Sequence, residues 1–206
     1  MPAANAKEKR PRKYLRAEER REQLLAASAE LVGKRGWGAL GMVPLAEVAG
    51  VSRQLVYEHF ENVDVLRSEV TRYLFETFFH AASDVLASHP DDPAGAARAS
   101  IRMQLEMPRG VRFALRELVA GPAGTSDAVR RRRVRARERV TELWAEPIRR
   151  ATGIPEPEAR ALAWMLTVAS WSLFDLVADD TFTADEAADF FVKTMFGAFA
   201  AIERED

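Results

Sequence analysis

Ala46 to Phe60 reads A-E-V-A-G-V-S-R-Q-L-V-Y-E-H-F, and the reading of this stretch decides the fold. It spells two short helices separated by one tight turn. Gly50 can take the left-handed conformation that ends the first helix without a Cβ penalty. Ser52 follows where a hydroxyl accepts from the free amides of the next helix, as an N-cap does. In the second helix Val56 and Phe60 lie four apart and share a face, which is expected to pack against Leu45, Val48 and Val51. The opposite face carries Arg53, Gln54 and Tyr57 and stays free. This is a helix-turn-helix signature.

The free face has side chains suited to DNA. Arg53 and Gln54 sit in the first turn, the end of a recognition helix that reaches base edges, where Arg pairs with guanine and Gln with adenine. Tyr57 and His59 offer donors on a short reach, better suited to phosphates. Leu55 can offer only apolar contact, for which the major groove has the thymine methyl. The hairpin alone also fits any helical corner with a solvated outer face, and enzymes contain such corners.

Outward from this stretch, 206 residues are enough for one large or two modest domains with a substantial core. The composition, 48% hydrophobic and 30% charged, is that of an ordinary globular chain. There is no Cys, which excludes a disulfide framework, a thiolate metal site and a thiol nucleophile. The first residues, M-P-A-A-N-A-K-E-K-R, are basic with no apolar run after them. No later window approaches the roughly 20 apolar residues of a membrane span, so a cytoplasmic location and no membrane partner are expected.

The net charge of −1 conceals an asymmetry. Residues 1–60 hold 11 Lys and Arg against 7 Asp and Glu, a balance of +4 that leaves −5 for the rest. The basic share is concentrated in K-E-K-R-P-R-K-Y-L-R, Lys7 to Arg16. Residues 1–15 read as a basic arm, and Lys13 and Arg16 are its candidates for neutralising phosphates or entering a minor groove. A plain solvated tail is the other reading of the same charges.

The first helix is expected from about Arg16 to Lys34, with Leu24, Leu25, Ala27, Ser28, Leu31 and Val32 at helical spacing. Gly36 and Gly38 close it around Trp37, and Pro44 fits the first turn of the next helix. Three helices over residues 16–62 then make a compact head.

The run L-A-E-V-A-G-V-S-R-Q-L-V-Y-E-H-F-E-N-V-D-V-L, preceded by a helix with a G-W-G exit, resembles the N-terminal domain of TetR-family transcriptional regulators over roughly residues 17–70. The resemblance implies Gly50, Val51 and Ser52 in the turn, Arg53 to His59 in the recognition helix, Phe60 in the core, and Tyr57 and His59 facing the DNA backbone. The chain departs from the family where Leu40 and Gly41 replace Thr residues at the start of the second helix, and where Val63 replaces a frequent Lys. Leu55 also stands where the family often has a small or hydroxyl residue.

Residues 63–206 read as helix throughout, about nine helices for the whole all-α chain. The segments are Asp64 to Leu86, Ala94 to Glu106, Val111 to Ala120, Ser126 to Thr152, Glu156 to Ala178 and Ala184 to Arg204, and Thr183 with Glu186 forms a capping box. The last two helices are apolar on more of their circumference than one core can cover. Trp164, Val168, Phe191, Met195 and Phe199 are therefore candidates for a homodimer interface, as in an interchain four-helix bundle. A pair of central helices in a monomer is the plainer alternative.

Phe79, Met103, Phe113, Trp144 and Trp171 are bulky or adaptable enough to wall a site for an apolar or aromatic small molecule, with Gln104, Glu106 and Asp175 as polar groups to orient it. The run Arg130 to Arg139 reads as a solvated helix pairing with acidic residues, or alternatively as a rim for an anionic ligand. The three His, at 59, 80 and 89, show no metal-ligand spacing, and there is no nucleophile elbow or phosphate-cradling glycine loop. No catalytic residue, metal or cofactor is expected. The expected function is a homodimeric regulator, a repressor released from a palindromic DNA operator by a small, largely apolar effector. The alternative is a constitutive DNA-binding or interaction protein whose body only dimerises.

Overall fold

The computed structural model describes residues 17–120 and 127–202. The expected arm, with Lys13 and Arg16, lies outside the described residues, as does the side chain of Phe199. Among the described residues the architecture is helical without strands. The head is α1 (Ala17–Arg35), α2 (Met42–Ala49) and α3 (Arg53–His59), with a short 3-10 turn at Trp37–Ala39. The body is α4 (Val63–Ala87), α5 (Pro93–Glu106), α6 (Arg109–Ala120), α7 (Asp127–Thr152), α8 (Glu156–Ser170), α9 (Leu173–Ala178) and α10 (Ala184–Ile202). The segment expected as one helix from Glu156 is broken at Trp171 and Ser172 into α8 and α9; counted as one, they make nine α-helices.

Helix ends follow local chemistry. Gly50 closes α2 at φ 63°, ψ 35°. Ser52 caps α3 by accepting from the Leu55 amide at 3.1 Å. Asn62 caps α4 through the Asp64 and Val65 amides, a cap the sequence reading did not single out. Pro93 occupies the first turn of α5 behind the Asp92 cap. At α10 the Thr183 amide donates to Glu186 at 2.8 Å while Thr183 Oγ1 accepts from the Glu186 amide at 3.2 Å, a reciprocal capping box.

One continuous core runs from head to body. Leu24, Leu31, Leu45, Val56, Phe60, Leu66 and Val70 are all sealed from solvent, and the same cluster extends to Leu115, Val140 and Trp171. Burying a side chain such as Phe60 is worth about 1.5–3 kcal/mol. Val48 is the exception to the expected packing: it is exposed on the outward face of α2, past the buried Leu45 and Ala46, whereas Val51 packs against the core.

Head and body also meet backbone to backbone. Pro108 and Gly110, at the start of α6, lie on the end of α1 beside Val32, Gly33 and Gly36. A Cβ on Gly110 would stand 2.0 Å from the Val32 carbonyl oxygen, so only glycine permits this approach. Helices α7 and α8, joined by the loop at Gly153 to Pro155, pack closely through the small residues Ala145, Ala159 and Ala163. By length and hydropathy alone the segment Glu156–Ala178, mean hydropathy 1.5, would be enough to cross a membrane, contrary to the expectation that no window comes close. In the fold it lies along α7 and turns at Trp171.

The arginine run is not a uniformly solvated face. Arg132 donates to Ser68 on α4, Arg133 to the Glu117 carbonyl on α6 at 3.1 Å, and Arg137 covers the Trp164 ring on α8 at 5.2 Å. Arg139 pairs with Glu76 at 2.5 Å and lies over the rings of Phe79, at 4.0 Å, and Phe75, at 5.2 Å. The 3.6-residue period turns these four toward three neighbouring helices, while Arg131 and Arg135 face solvent.

Candidate functional site

Helix α3 presents its outer face from a rigid base. Val56 and Phe60 anchor it, and Ser52 fixes its first turn. Arg53 and Gln54 then stand exposed at the N-terminal end, with Tyr57 one turn on and 55% exposed. Gln54 Nε2 donates to Glu58 Oε1 at 3.3 Å, a bond within the free face that is easily exchanged for another acceptor. Leu55 and His59 are half-buried at the edges.

Arg21 of α1, which the sequence reading passed over, holds the other end of α3. Its guanidinium donates to the His59 carbonyl at 2.6 Å, lies 4.8 Å over the Phe60 ring and sits 3.4 Å from Glu69 of α4. A cation at a helix C-terminus opposes the carbonyl end of the dipole. Burial of Glu69 would raise its carboxyl pKa, but the hydrogen bond from Arg72 and the charges of Arg72 and Arg21 hold it below its ordinary value. One residue thus joins α1, α3 and α4. The only hint of this in the sequence was an arginine at the margin of an apolar stripe.

In the body a cavity opens between α5, α7, α8 and α10, with room for the centres of water molecules over about 60 Å³. Its walls include Ile101, Trp144, Ile148, Leu166, Phe191 and Met195, with Ser100, Gln104, Thr167 and Ser170 at one side. Of the residues expected at a ligand site, Trp144 and Gln104 are here. The others are elsewhere. Phe79 is held beneath Arg139, Met103 is half-buried outside the lining, and Trp171 is packed in the core 5.3 Å from Phe174. Phe113 is 51% exposed, Glu106 is exposed and paired with Arg102 at 3.7 Å, and Asp175 is exposed in the first turn of α9. Their helices turn those faces outward, a rotation that a one-dimensional list of bulky residues does not fix.

An outer groove between α8 and α10 is almost wholly apolar. Leu162, Met165, Ala169, Leu176 and Phe190 line it together with Leu166, Phe191 and Met195. Met165 is 63% exposed, and Val168 and Phe190 are exposed beside it. Of the expected interface residues, Phe191 and Met195 line the groove and Val168 is exposed one turn from Met165 on α8, whereas Trp164 is turned toward Arg137.

Fold and surface together define an all-α protein with a helix-turn-helix head continuous with a helical body. Residues 24–70 match the family model described as bacterial regulatory proteins, tetR family. Over this domain the chain is similar to bacterial regulatory proteins of the tetR family. It is 33% identical over 98 residues to the HTH-type transcriptional activator FasR of Mycolicibacterium smegmatis, covering 48% of this chain and 38% of that protein. It is 34% identical over 82 residues to the HTH-type transcriptional regulator TtgR of Pseudomonas putida, covering 40% and 39%. The chain therefore matches less than two-fifths of the length of these relatives. The fold is similar along nearly the whole chain to a TetR-like transcriptional regulator from Rhodococcus sp., with TM-score 0.64, 22% identity and coverage of 91% and 99%. It is also similar to the TetR family repressor AlkX of Dietzia sp., with TM-score 0.56, 23% identity and coverage of 89% and 96%.

Proposed function

We propose that the chain is a homodimeric, DNA-binding transcriptional regulator, a repressor that a small and largely apolar effector releases from a palindromic operator. The observation that carries this reading is the exposed face of α3, where Arg53, Gln54 and Tyr57 project from a helix capped at one end and clamped by Arg21 at the other. A rigid helix with Arg and Gln in its first turn has the chemistry of major-groove readout. Named relatives that match the head are transcriptional regulators. Residues 1–15 act as a basic arm, with its Lys13 and the adjoining Arg16 on phosphates. The regulator works in the cytoplasm.

The dimer forms through the apolar surface of α8 and α10, for which a second copy of the chain is the occupant. Two-fold pairing sets two α3 helices against successive major grooves, about 34–36 Å apart. A contiguous apolar face of this kind is costly to leave in water. Effector binding in the body then needs a coupling of only about 1–3 kcal/mol to change operator affinity. The small size of the cavity favours the second reading, a constitutive DNA-binding protein whose body only dimerises; effector-induced release from DNA separates the two.

The experiment is selection of bound fragments from a random or genomic DNA pool by the purified protein at about 0.15 M salt, which suppresses non-specific phosphate binding. A palindromic motif is the expected result. With the motif in hand, Tyr57→Phe should weaken binding to all variants alike, whereas Gln54→Ala should relax preference at one base position. No enrichment by folded protein would refute the DNA-binding reading.

A further inference from the structure

We infer that the body cavity receives an uncharged, mainly apolar molecule bearing one hydrogen-bonding oxygen, a hydroxyl or a carbonyl, which Ser100 and Gln104 engage. This rests on the reading of the body as an effector domain and names the chemistry of the effector.

The first observation is an unpartnered hydroxyl. Ser100 is buried at 3% exposure in the cavity wall, and its Oγ has no hydrogen-bond partner. Other buried or half-buried hydroxyls in the helices of the chain donate to a carbonyl three or four residues back, as Thr141 does to Glu138 and Ser170 to Thr167. Ser28 does so at 2.7 Å, and Thr152 and Thr167 at 2.8 Å. Ser100 does not, and a buried polar atom left unpaired is destabilising until something bonds to it.

The second observation is the setting of that hydroxyl. Gln104 lies one turn further along α5 on the same face and also lines the cavity. Its Oε1 lies 3.1 Å from Ser170 Oγ, whose single proton is shared between this oxygen and the Thr167 carbonyl at 2.8 Å, and its NH2 hydrogens are left for another acceptor. Ser100 can donate or accept, and Gln104 can donate, so together they suit one neutral oxygen. Apart from Thr167 and Ser170, whose hydroxyls donate to main-chain carbonyls, the rest of the lining is apolar.

The third observation concerns charge. No Asp, Glu, Lys, Arg or His lines the cavity among the described residues. Arg98 and Arg102, the cations of α5, are committed outside, Arg98 to Asp189 and Arg102 to Glu106 at 3.7 Å and Asp185 at 3.2 Å. A carboxylate or phosphate ligand would lose its hydration without gaining a cation, which disfavours it strongly. The arginine run offers no help, since Arg132 and Arg139 are turned toward α4. Met195 and Phe191 form the wall that must yield as a ligand grows beyond the present space, and the unbranched thioether of Met195 adapts readily.

The test uses the full chain without DNA and three probes of one shape: benzyl alcohol, toluene and benzoate. Affinity is read from the rise of the unfolding temperature with probe concentration. Benzyl alcohol should bind about fivefold more tightly than toluene, the worth of one neutral hydrogen bond. Benzoate should give no shift beyond that of chloride at equal ionic strength. Ser100→Ala, which removes only an unpartnered hydroxyl, should abolish the advantage of the alcohol while leaving toluene affinity unchanged. Gln104→Leu should reduce the same advantage.

Benzoate binding as well as the alcohol, an alcohol advantage that survives both substitutions, or no shift with either neutral probe would each overturn the inference. The last would assign Ser100 to a structural water. A chain that binds the probes as expected but selects no DNA would refute the regulator reading and leave the site standing. A chain that selects a palindrome yet binds no probe would do the reverse.

Discussion

Replacing Gly110 with Ala tests the junction of head and body most directly. The added Cβ would lie 2.0 Å from the Val32 carbonyl oxygen, 2.9 Å from its carbon and 3.2 Å from Gly36 Cα. All three are main-chain atoms, and the Val32 oxygen already accepts the Gly36 amide at 2.9 Å where α1 ends, so it cannot swing aside. Restoring ordinary contact requires α6 and α1 to part by about 1 Å or more. Overpacking of this kind costs about 1–3 kcal/mol, equivalent in a chain of this size to a fall in Tm of roughly 2–10 °C. The neighbouring Gly33→Ala is the control of opposite sign. Its Cβ would meet Pro108 at an ordinary 3.4 Å, and Ala in a helix interior gains about 0.5–1 kcal/mol over Gly. Thermal unfolding of both variants beside the parent, with operator affinity measured on the same preparations, reads the two effects. An unchanged Tm and unchanged affinity for Gly110→Ala would show that this close approach does not join the two parts.

Arg21→Ala should destabilise the head by about 1–2 kcal/mol, through the lost contact with Phe60 and the lost bond to the His59 carbonyl. It should weaken operator binding although Arg21 is not on the exposed face of α3; binding as tight as the parent's would refute its positioning role. Acidification should destabilise the chain in a defined direction. The hydrogen bond from Arg139 holds the Glu76 carboxyl below its ordinary 4.5, overcoming the effect of burial, and Arg72 acts likewise on Glu69. Because the folded values are depressed, this contribution is complete above the unfolded value and is lost as pH falls through the folded ones. Titrating Tm from pH 6 downward should show that loss, with a shallower slope in Arg139→Met; equal slopes would rule out the Arg139 pair as a source. Met165→Asp, at a position 63% exposed in the described chain, should leave the fold intact and convert dimer to monomer in sedimentation velocity. A dimer of parental affinity would place the interface elsewhere.

Local chemistry made the head legible in the sequence. Gly50 and Ser52 each have one strong backbone role, and Val56 and Phe60 are four apart, so turn, cap and core face could be read from the residue types. The same holds for the Thr183–Glu186 capping box and the Pro93 helix start. The cavity was not legible in this way. Phe113 and Trp144 are both large aromatics on long amphipathic helices, yet one is exposed and the other lines the cavity, a difference of helix rotation set by contacts distant in sequence. Of the polar residues lining it, Gln104 could be singled out in the sequence, but Ser100, Thr167 and Ser170 carried no signal of their own. Arg21 and Arg139 show a third limit, because an arginine on a helix reads as surface until a ring and a carboxylate from another helix meet it.

Leu166, Phe191 and Met195 line both the inner cavity and the outer apolar groove, so a single layer of side chains separates the two. Substitutions there cannot alter one surface alone. Widening the inside to admit a bulkier guest reshapes the outside that a second copy would meet, and a change that secures pairing constricts the inside. If the outer groove is the pairing face proposed above, a change of guest would also be a change of mate.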